Sequence, residues 1–220
     1  MHLILFDTET TGLPRTREPA TKGPNNWPHI VSLAWVVTDG TSILKQEYRL
    51  IKPDGWKIPP ESTKIHGITH EYALEHGTDL RHALLDFIVE QGDMHVCHNA
   101  SFDSNVITNA MLWDLGLPFV GFSKLFCTME SSRAICKLPF TNGNRGYKSP
   151  KLMELYSFIM RRQPDTSSLH NSLYDTLLLA EIVKNSWVLR EMIGLPVKNV
   201  QKSENDCSSV SSSVLSLSLT

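Results

Sequence analysis

One stretch of the sequence strongly restricts the fold: residues 30–37, IVSLAWVV, are almost all apolar and rich in β-branched side chains. A run of this length and composition predicts a strand buried inside a sheet. The dipeptide Asp39-Gly40 then supplies a hairpin turn, and residues 43–51 are predicted to return antiparallel to the first run. Residues 3–6 predict a further short apolar strand. Three strands therefore precede the first clear helix pattern, which favours an antiparallel meander.

Helix patterns alternate with a strand in the rest of the chain. The predicted elements are a strand at 94–97 and helices at 79–91, 103–115, 151–160 and 173–192. The pair Ser149-Pro150 supplies a cap and a proline for the first helical position ahead of the helix at 151–160. Strands followed by strand–helix alternation predict an α/β protein with a mixed sheet flanked by helices.

The composition excludes several classes of protein. With 220 residues, 41% of them hydrophobic and 20% charged, the chain is neither a collagen, nor a coiled-coil rod, nor wholly disordered. Twenty-one Lys and Arg against 23 Asp and Glu give a formal net charge of -2. Nucleic-acid binding usually shows as a strongly basic domain, so the overall charge gives no sign of it.

The compartment is predicted to be cytoplasmic or otherwise intracellular. The N-terminal residues lack the basic region and apolar stretch of a signal peptide, so secretion is not expected. No apolar run reaches the ~18 residues of a membrane span, so no membrane association is expected. The four cysteines show neither a CxxC pair nor zinc spacing with histidine, which fits a reducing environment.

The last part of the chain differs in composition, because eight of residues 201–220 are serine. We predict one domain at 1–195 and a flexible Ser-rich tail at 196–220. Apolar and polar residues alternate at 214–219. This alternation leaves an edge strand or a partner-binding peptide as the alternative for the tail.

Two acids, Asp7 and Glu9, follow the first predicted strand in the segment DTETTG at residues 7–12. In extended backbone, side chains at i and i+2 point to the same side. Two adjacent carboxylates repel each other, and one is driven neutral unless a cation lies between them. Oxygen-rich sites of this kind suit Mg²⁺ or Mn²⁺. The alternative is that the two acids cap a loop or face solvent.

A further candidate acid, Asp103, closes the segment HNASFD at residues 98–103. This segment joins the end of a strand to the start of a helix. Asp103 is therefore predicted at the carboxyl edge of the sheet, where open α/β sheets bind ligands. The alternative is a helix cap at Asn99 or Ser101, with Asp103 complementing the helix dipole.

The segment HNSLYDT at residues 170–176 carries a histidine and an acid, His170 and Asp175. On one continuous helix, residues five apart would lie about 140° from each other. If both serve one site, His170 lies in a loop or first turn and Asp175 projects from the helix. A histidine in a loop titrates near neutrality, which suits a general base. The alternative is a surface histidine that caps a helix.

Taken together, these segments resemble the three exonuclease motifs of the DEDDh exonucleases, the DnaQ-like group of the RNase H-like superfamily. Asp7 and Glu9 match the DxE of the first motif, Asp103 matches the closing Asp of the second, and His170 and Asp175 match the HxxxxD of the third.

The resemblance extends over residues 2–192. The segment IHGIT at residues 65–69 also resembles one that family members carry between the first two motifs. The implied fold is an RNase H-like mixed five-stranded sheet, an antiparallel meander followed by parallel strands, flanked by helices.

The resemblance implies a 3′–5′ exonuclease that hydrolyses the terminal phosphodiester and releases nucleoside 5′-monophosphates. Asp7, Glu9, Asp103 and Asp175 would hold two divalent cations, Mg²⁺ or Mn²⁺, and His170 would take the proton from the attacking water. The favoured substrate is a single-stranded DNA 3′ end, in proofreading or repair. The alternatives are trimming of RNA 3′ ends and, in another class, an inactive DEDD fold that only binds nucleic acid or protein.

The resemblance also implies contacts with the terminal nucleotide. Leu13 occupies the position of an apolar side chain that wedges against the terminal base, and Thr10 and Thr11 lie where the terminal sugar binds. His66 and Ile68 fall in a segment that lines the same pocket in relatives. The alternative for Leu13 is packing under the loop.

Two stretches are particular to this chain. Residues 137–151 contain four basic residues, no acid and an aromatic residue, which suits tracking of a single strand, with Tyr147 and Lys148 as the contacts. A solvated loop is the alternative. Residues 16–29 form a polar insertion in which Trp27 would either form a lip over the site or cover the second strand.

The family resemblance suggests one class of partner. Proofreading members dock on a polymerase through peptide near or after the end of the domain, so the Ser-rich tail is the candidate segment for a polymerase or another replication or repair protein. Parts of the family dimerise, so a dimer is also compatible with the sequence.

Overall fold

The computed structural model describes residues 1–141, 145–165 and 169–197. Within them the chain forms one mixed sheet of β1 (Leu3–Thr10), β2 (Ile30–Thr38), β3 (Ile43–Leu50), β4 (Met94–Cys97) and β5 (Leu125–Cys127). The strand order is β3-β2-β1-β4-β5. The pairs β1–β2 and β2–β3 are antiparallel, and β1–β4 and β4–β5 are parallel. The predicted meander followed by parallel strands is confirmed.

Helices cover both faces of this sheet. In chain order they are α1 (Pro60–His66), α2 (His70–His76), α3 (Leu80–Ile88), α4 (Ala100–Asn109), α5 (Thr128–Ser131), α6 (Arg133–Cys136), α7 (Leu152–Met160), α8 (Ser172–Asn185) and α9 (Trp187–Ile193). A 3₁₀ turn lies at Ala20–Lys22, and a π-helical turn at Ala110–Asp114 continues α4.

The alternation of side chains along β1 explains the two layers of core. Ile4 and Phe6 point to one face, where they pack in a cluster with residues of α3 and α4. Leu3 and Leu5 point to the other face and pack in a cluster with residues of α8 and α9. Since both faces of β2 and of the first half of β1 are buried, these segments are apolar almost throughout, which is the pattern that the sequence shows.

Two predicted boundaries are wrong in an informative way. The strand at 3–6 continues to Thr10, because residues up to Thr10 pair with β2, so the first two acids lie within the strand. The helix at 173–192 is two helices, α8 and α9. Ser186 separates them with extended backbone (φ -94°, ψ 107°), and its hydroxyl accepts a hydrogen bond from the Leu189 N–H as the cap of α9.

The other differences concern short elements. The helix at 103–115 begins at Ala100, with Asn99 as its first cap residue, and the helix at 79–91 is confined to Leu80–Ile88. At the helix 151–160, Lys151 is the cap residue, so Pro150 lies before the helix rather than in its first turn. The sequence patterns did not locate α1, α2, β5, α5 and α6, which have seven residues at most and too few turns for a clear period.

Within the residues that the structure describes, no helix is long and apolar enough to cross a membrane. The predicted tail at 196–220 lies almost wholly outside the described residues, as does the alternating stretch at 214–219.

Candidate active site

The site is built on the second half of β1. This strand pairs with β4 only from Leu3 to Leu5, so its continuation runs past the end of β4. Asp7 and Glu9 lie on this continuation, opposite Ala34 and Ser32 of β2. Alternation places both carboxylates on the face of the sheet that α8 covers.

The third acid, Asp103, reaches β1 from the first turn of α4. Its side chain is only 3% exposed. The Thr8 N–H and hydroxyl donate to Asp103 Oδ1 at 3.0 and 2.7 Å, and the Cys97 thiol donates to Oδ2 at 3.1 Å. Asp103 is therefore fixed against both β1 and β4, and it does not merely complement the dipole of α4.

The first turn of α8 brings the last two candidates to β1. Asn171 caps α8 by accepting hydrogen bonds from the Leu173 and Tyr174 N–H groups. His170 precedes this cap in a loop, with its backbone in the left-handed region (φ 60°), and its backbone N–H donates to the Asp175 carboxylate. The hydroxyls of Ser32 and Ser172, 2.9 Å apart and fully buried, attach the start of α8 to β2.

Burial dominates the electrostatics of the four carboxyl groups, and repulsion between carboxylates adds to it at Asp7 and Glu9. Burial raises the pKa of Asp7 well above its ordinary value, and the charges of Asp103, Glu9 and Asp175 raise it further. Burial, together with the charges of Asp175 and Asp103, raises the pKa of Glu9 to about 9. Burial raises the pKa of Asp103 and of Asp175 to about 6, even though hydrogen bonds to each oppose the shift. Such a cluster strongly favours a bound cation over four free negative charges.

The residues fit a divalent metal ion. Glu9, His170 and Asp175 each offer one ligand atom, and these three atoms lie within 4.8 Å of one another. Asp175 Oδ1 is buried and has no hydrogen-bond partner among the described residues. A buried carboxylate oxygen without a donor is costly unless a cation satisfies it. Carboxylate oxygens are the donors that Mg²⁺ and Mn²⁺ prefer.

The predicted contacts next to the first motif occupy a tight loop. Thr10 donates its hydroxyl to Gly12 O, while Thr11 Oγ1 accepts the His29 N–H, so both hydroxyls hold the loop. Gly12 adopts φ +147°, which a residue with a side chain rarely adopts. Leu13 is 82% exposed, so it does not pack under the loop.

The predicted contacts in the IHGIT segment lie at the end of α1. His66 is nine-tenths buried, and its Nδ1 accepts the Ile68 N–H. The neutral ring then carries its proton on Nε2, which is buried without a partner among the described residues. Burial and the charge of His170 lower the pKa of His66. A cavity of about 460 Å³ lies between His66 and the start of α8, including His170 and Tyr174.

The basic stretch at 137–151 is less free than its sequence suggests. The Lys148 ammonium is 2.6 Å from both carboxylate oxygens of Glu154, so α7 neutralises its charge. Tyr147 is exposed and forms an isolated antiparallel bridge with Pro139. Within the described residues, no hydrogen bond or ion pair connects Tyr147 or Lys148 with the acidic cluster.

The polar insertion at 16–29 packs against α4. Trp27 contacts Phe102 with 5.9 Å between the ring centres, and the Ala20 N–H donates to Asn105 Oδ1. The Trp113 indole N–H donates to Ala20 O. These contacts fasten the insertion to α4, the helix that carries Asp103, and Trp27 also packs against the core cluster that contains Ile30 and Leu33 of β2.

Thr8, Cys97 and the Ser32–Ser172 pair support the acids, and none of them stood out in the sequence. Thr8 lies on the same strand as Asp7 and Glu9, but its side chain points to the opposite face of the sheet. There its hydroxyl donates to Asp103, which is 95 residues away in the sequence. One signal in the sequence could have indicated Thr8: it lies between two acids on a strand, so its side chain points to the opposite face of the sheet, the face that α4 covers.

Comparison with known proteins agrees with this geometry. The sequence model of a family described as Exonuclease, named for RNase T, matches residues 4–183. The chain belongs to this exonuclease family. It is a 3′–5′ exonuclease with the DnaQ-like, RNase H-like fold.

Among curated relatives, DNA polymerase III subunit epsilon of Salmonella typhimurium is 29% identical over 187 residues, covering 81% of this chain and 68% of the relative. The uncharacterized exonuclease CP81 of Escherichia phage 186 is 31% identical over 161 residues, covering 69% of this chain and 71% of the relative.

Solved structures show the same architecture. Exonuclease X in complex with 5′ overhanging duplex DNA matches at a TM-score of 0.55 and 25% identity, covering 90% of this chain and 96% of that one. The nuclease domain of 3′hExo, a DEDDh family member bound to rAMP, matches at a TM-score of 0.63 and 16% identity, covering 88% and 93%. At this lower identity the match concerns the fold alone.

Proposed function

We propose that this exonuclease removes nucleotides from the 3′ ends of single-stranded DNA, with Asp7, Glu9, Asp103 and Asp175 as the metal ligands and His170 as the general base. The observation that carries the proposal is the convergence of four buried or half-buried carboxyl groups and one histidine from β1, α4 and the start of α8. Burial raises the pKa values of all four acids, and repulsion from neighbouring carboxylates raises those of Asp7 and Glu9 further. A cluster of this kind is more costly to maintain without a cation than with one.

Two divalent cations, Mg²⁺ or Mn²⁺, would activate a water molecule and offset the charge of the phosphodiester. Within the protein, His170 is suited to accept the proton of that water, because it is exposed and adjacent to Glu9 and Asp175. The water oxygen bonds to phosphorus, and the bond to the 3′ oxygen of the preceding nucleotide breaks. The products are a nucleoside 5′-monophosphate and a strand shortened by one residue.

The left-handed backbone at His170 helps to explain its orientation. A left-handed conformation costs a residue with a side chain about 1–2 kcal/mol. The hydrogen bond from the His170 N–H to Asp175 and the cap of α8 at Asn171 hold the backbone there. The loop therefore presents the imidazole to the acids, whereas a helical continuation of α8 would turn it away.

The terminal nucleotide is proposed to bind between the loop after β1 and the end of α1. Leu13 offers an exposed apolar side chain to a base, and His66 offers a buried Nε2–H beside His170. Ile68 positions His66 through its backbone N–H, and the Thr10 and Thr11 hydroxyls shape the loop. Tyr147 remains a proposed contact for the more distant strand, whereas Lys148, paired with Glu154, is expected to contribute little.

DNA is the proposed substrate because two of the similar proteins are connected with DNA, one by its name and one by the nucleic acid in its complex. The curated relatives include a DNA polymerase III subunit, and the solved complex at 25% identity contains duplex DNA with a 5′ overhang. By the same similarity, a polymerase or another replication or repair protein is the proposed partner. Co-purification of the tagged full chain with a polymerase subunit would test that partner directly.

The proposal is tested by digestion of 5′-labelled single-stranded DNA and RNA of identical sequence, side by side, with Mg²⁺, Mn²⁺ or EDTA. We expect a ladder of DNA products shortened from the 3′ end, release of 5′-monophosphates, and no products in EDTA. Preferential digestion of RNA would instead assign the protein to RNA 3′-end trimming.

The acidic cluster is tested by Asp7→Ala, compared with Asp54→Ala, which changes an exposed loop acid. We expect Asp7→Ala to abolish metal-dependent cleavage while the circular dichroism spectrum stays unchanged, and Asp54→Ala to retain wild-type activity. Wild-type activity in a folded Asp7→Ala protein would contradict the assignment. Wild-type protein that neither cleaves nor binds Mn²⁺ in calorimetry would support a binding module instead.

A further inference from the structure

Asp103 differs from the other acids of the cluster in how its oxygens are used. Oδ1 accepts two hydrogen bonds from one residue, Thr8: the backbone N–H at 3.0 Å and the hydroxyl at 2.7 Å. Oδ2 accepts the Cys97 thiol at 3.1 Å. Thr8, Cys97 and Asp103 are all buried, so little water reaches these hydrogen bonds.

The three hydrogen bonds limit how many further contacts the Asp103 carboxylate can make. A carboxylate has about four lone-pair positions, two on each oxygen. The three donors occupy at least three of them, two on Oδ1 and one on Oδ2. At most one position, on Oδ2, remains for a cation. The orientation of the carboxyl plane is therefore set by Thr8 from β1 and by Cys97 from β4.

Asp175 offers a useful contrast. One of its oxygens, Oδ1, is buried and without a hydrogen-bond partner among the described residues. On α8, Asp175 therefore has an oxygen with no hydrogen-bond donor, whereas on α4 the Asp103 carboxylate has at most one acceptor position left for a cation. A restrained ligand loses less freedom when a cation binds, and residues that orient metal ligands typically change metal affinity 10–100-fold when they are removed.

We propose that Thr8 is a positioning residue of the metal site, which acts by aiming Asp103 Oδ2 into the acidic cluster, and that Cys97 is the second residue of the same device. This inference rests on the proposed metal-dependent function. Mutation can remove the hydrogen bond from the Thr8 hydroxyl alone, because the backbone N–H is still present after substitution by any residue except proline. Val has the same shape as Thr without the donor, whereas Ser keeps the donor.

The test is calorimetric titration of metal-free protein with Mn²⁺, for wild type, Thr8→Val and Thr8→Ser. Thr38→Val is the matched control, because Thr38 is also a buried strand threonine but its hydroxyl bonds to Ser42 O at the far end of β2. We expect Thr8→Val to raise the Mn²⁺ dissociation constant on the order of tenfold, and Thr8→Ser to restore it. Thr38→Val should leave the constant unchanged, although it lowers the melting temperature.

For Cys97 the same titration uses Cys97→Ala and Cys97→Ser. We expect weaker Mn²⁺ binding in the alanine variant and wild-type binding in the serine variant, whose hydroxyl is a better donor than a thiol. Because Cys97 is fully buried in the core, a loss of affinity without rescue by serine would indicate packing and would remove Cys97 from the device.

The outcomes separate this inference from the function on which it rests. Wild-type protein that does not bind Mn²⁺ overturns both. Wild-type binding together with an unchanged constant in folded Thr8→Val overturns only the role of Thr8, as does equal loss of affinity in Thr8→Val and Thr38→Val. If Thr8→Val does not fold, Thr8→Ala demands less of the surrounding packing, and the same outcomes apply to it.

Discussion

Replacing Glu9 with glutamine should stabilise the metal-free protein. Glu9 is largely buried beside Asp7, Asp103 and Asp175, and its pKa is raised from 4.5 to about 9. Glutamine has nearly the same shape and hydrogen-bonding capacity but carries no charge. The substitution therefore removes the cost of keeping this group protonated in the folded protein, and it leaves the packing of β1 intact.

The magnitude follows from the two pKa values. Below pH 4.5 the carboxyl group is protonated in both the folded and the unfolded chain, so it contributes no penalty. Above pH 4.5 the unfolded chain ionises while the folded chain keeps the proton, and stability falls by about 1.4 kcal/mol for each pH unit until about pH 9. At pH 7 the penalty is about 3 kcal/mol. For a domain of this size, that corresponds to roughly 6–12 °C in melting temperature.

The assay is thermal unfolding followed by circular dichroism, in EDTA, at pH 5 and pH 7. We expect Glu9→Gln to melt several degrees above wild type at pH 7 and within about 2 °C of it at pH 5. Added Mg²⁺ should raise the melting temperature of wild type more than that of the variant. Glu191→Gln, an exposed glutamate on α9, is the matched control and should change little at either pH.

Two results would refute this reasoning. If Glu9→Gln melts at or below the wild-type temperature at pH 7, the charge of Glu9 does not oppose folding. If the gain is equal at pH 5 and pH 7, the effect comes from packing rather than from ionisation.

Three further outcomes follow from the structure. His170→Ala should lower kcat by a factor on the order of 10²–10⁴ with little change in KM, and an unaffected rate would remove it as the base. Gly40→Ala should destabilise the fold by about 1–3 kcal/mol in urea unfolding, because the added Cβ would lie 2.6 Å from Leu195 Cδ1 and φ is +83°; an unchanged midpoint would contradict the packing. Lys148→Met should barely change KM or its dependence on salt, because Glu154 already neutralises the ammonium; a large rise in KM would show that Lys148 binds the strand.

Local patterns in the sequence were sufficient to locate four of the five strands and to name the candidate site residues. The run at 30–37 predicted a strand buried on both faces, and β2 is buried along its whole length. The acids and the histidine were identified by motif, in segments that the family's sequence model also covers. Both predictions could be made because each depends on residues close together in the chain.

Short elements and interrupted periods could not be predicted in the same way. Residues 173–192 carry one continuous helical pattern, yet α8 ends before Ser186. The Ser186 hydroxyl then caps α9 by accepting a hydrogen bond from the Leu189 N–H. The basic residues at 137–151 suggested a free cationic loop. Two residues outside that stretch bind to it: Glu154 accepts a hydrogen bond from the Lys148 ammonium, and Arg133 donates one to the Ser149 hydroxyl. A charge pattern does not show which charges are already paired.

The sequence by itself determined the fold class, the family and the identity of the five candidate catalytic residues, because these are properties of strand periodicity and of short motifs. Only the tertiary structure decided how the acids are held and how strongly they repel each other. The bonds from Thr8 to Asp103 join residues 95 positions apart, and the raised pKa values arise first from burial. The Thr8–Asp103 hydrogen bonds and the raised pKa values both depend on how the site is buried, and this burial exists only once β1, α4 and α8 have packed together.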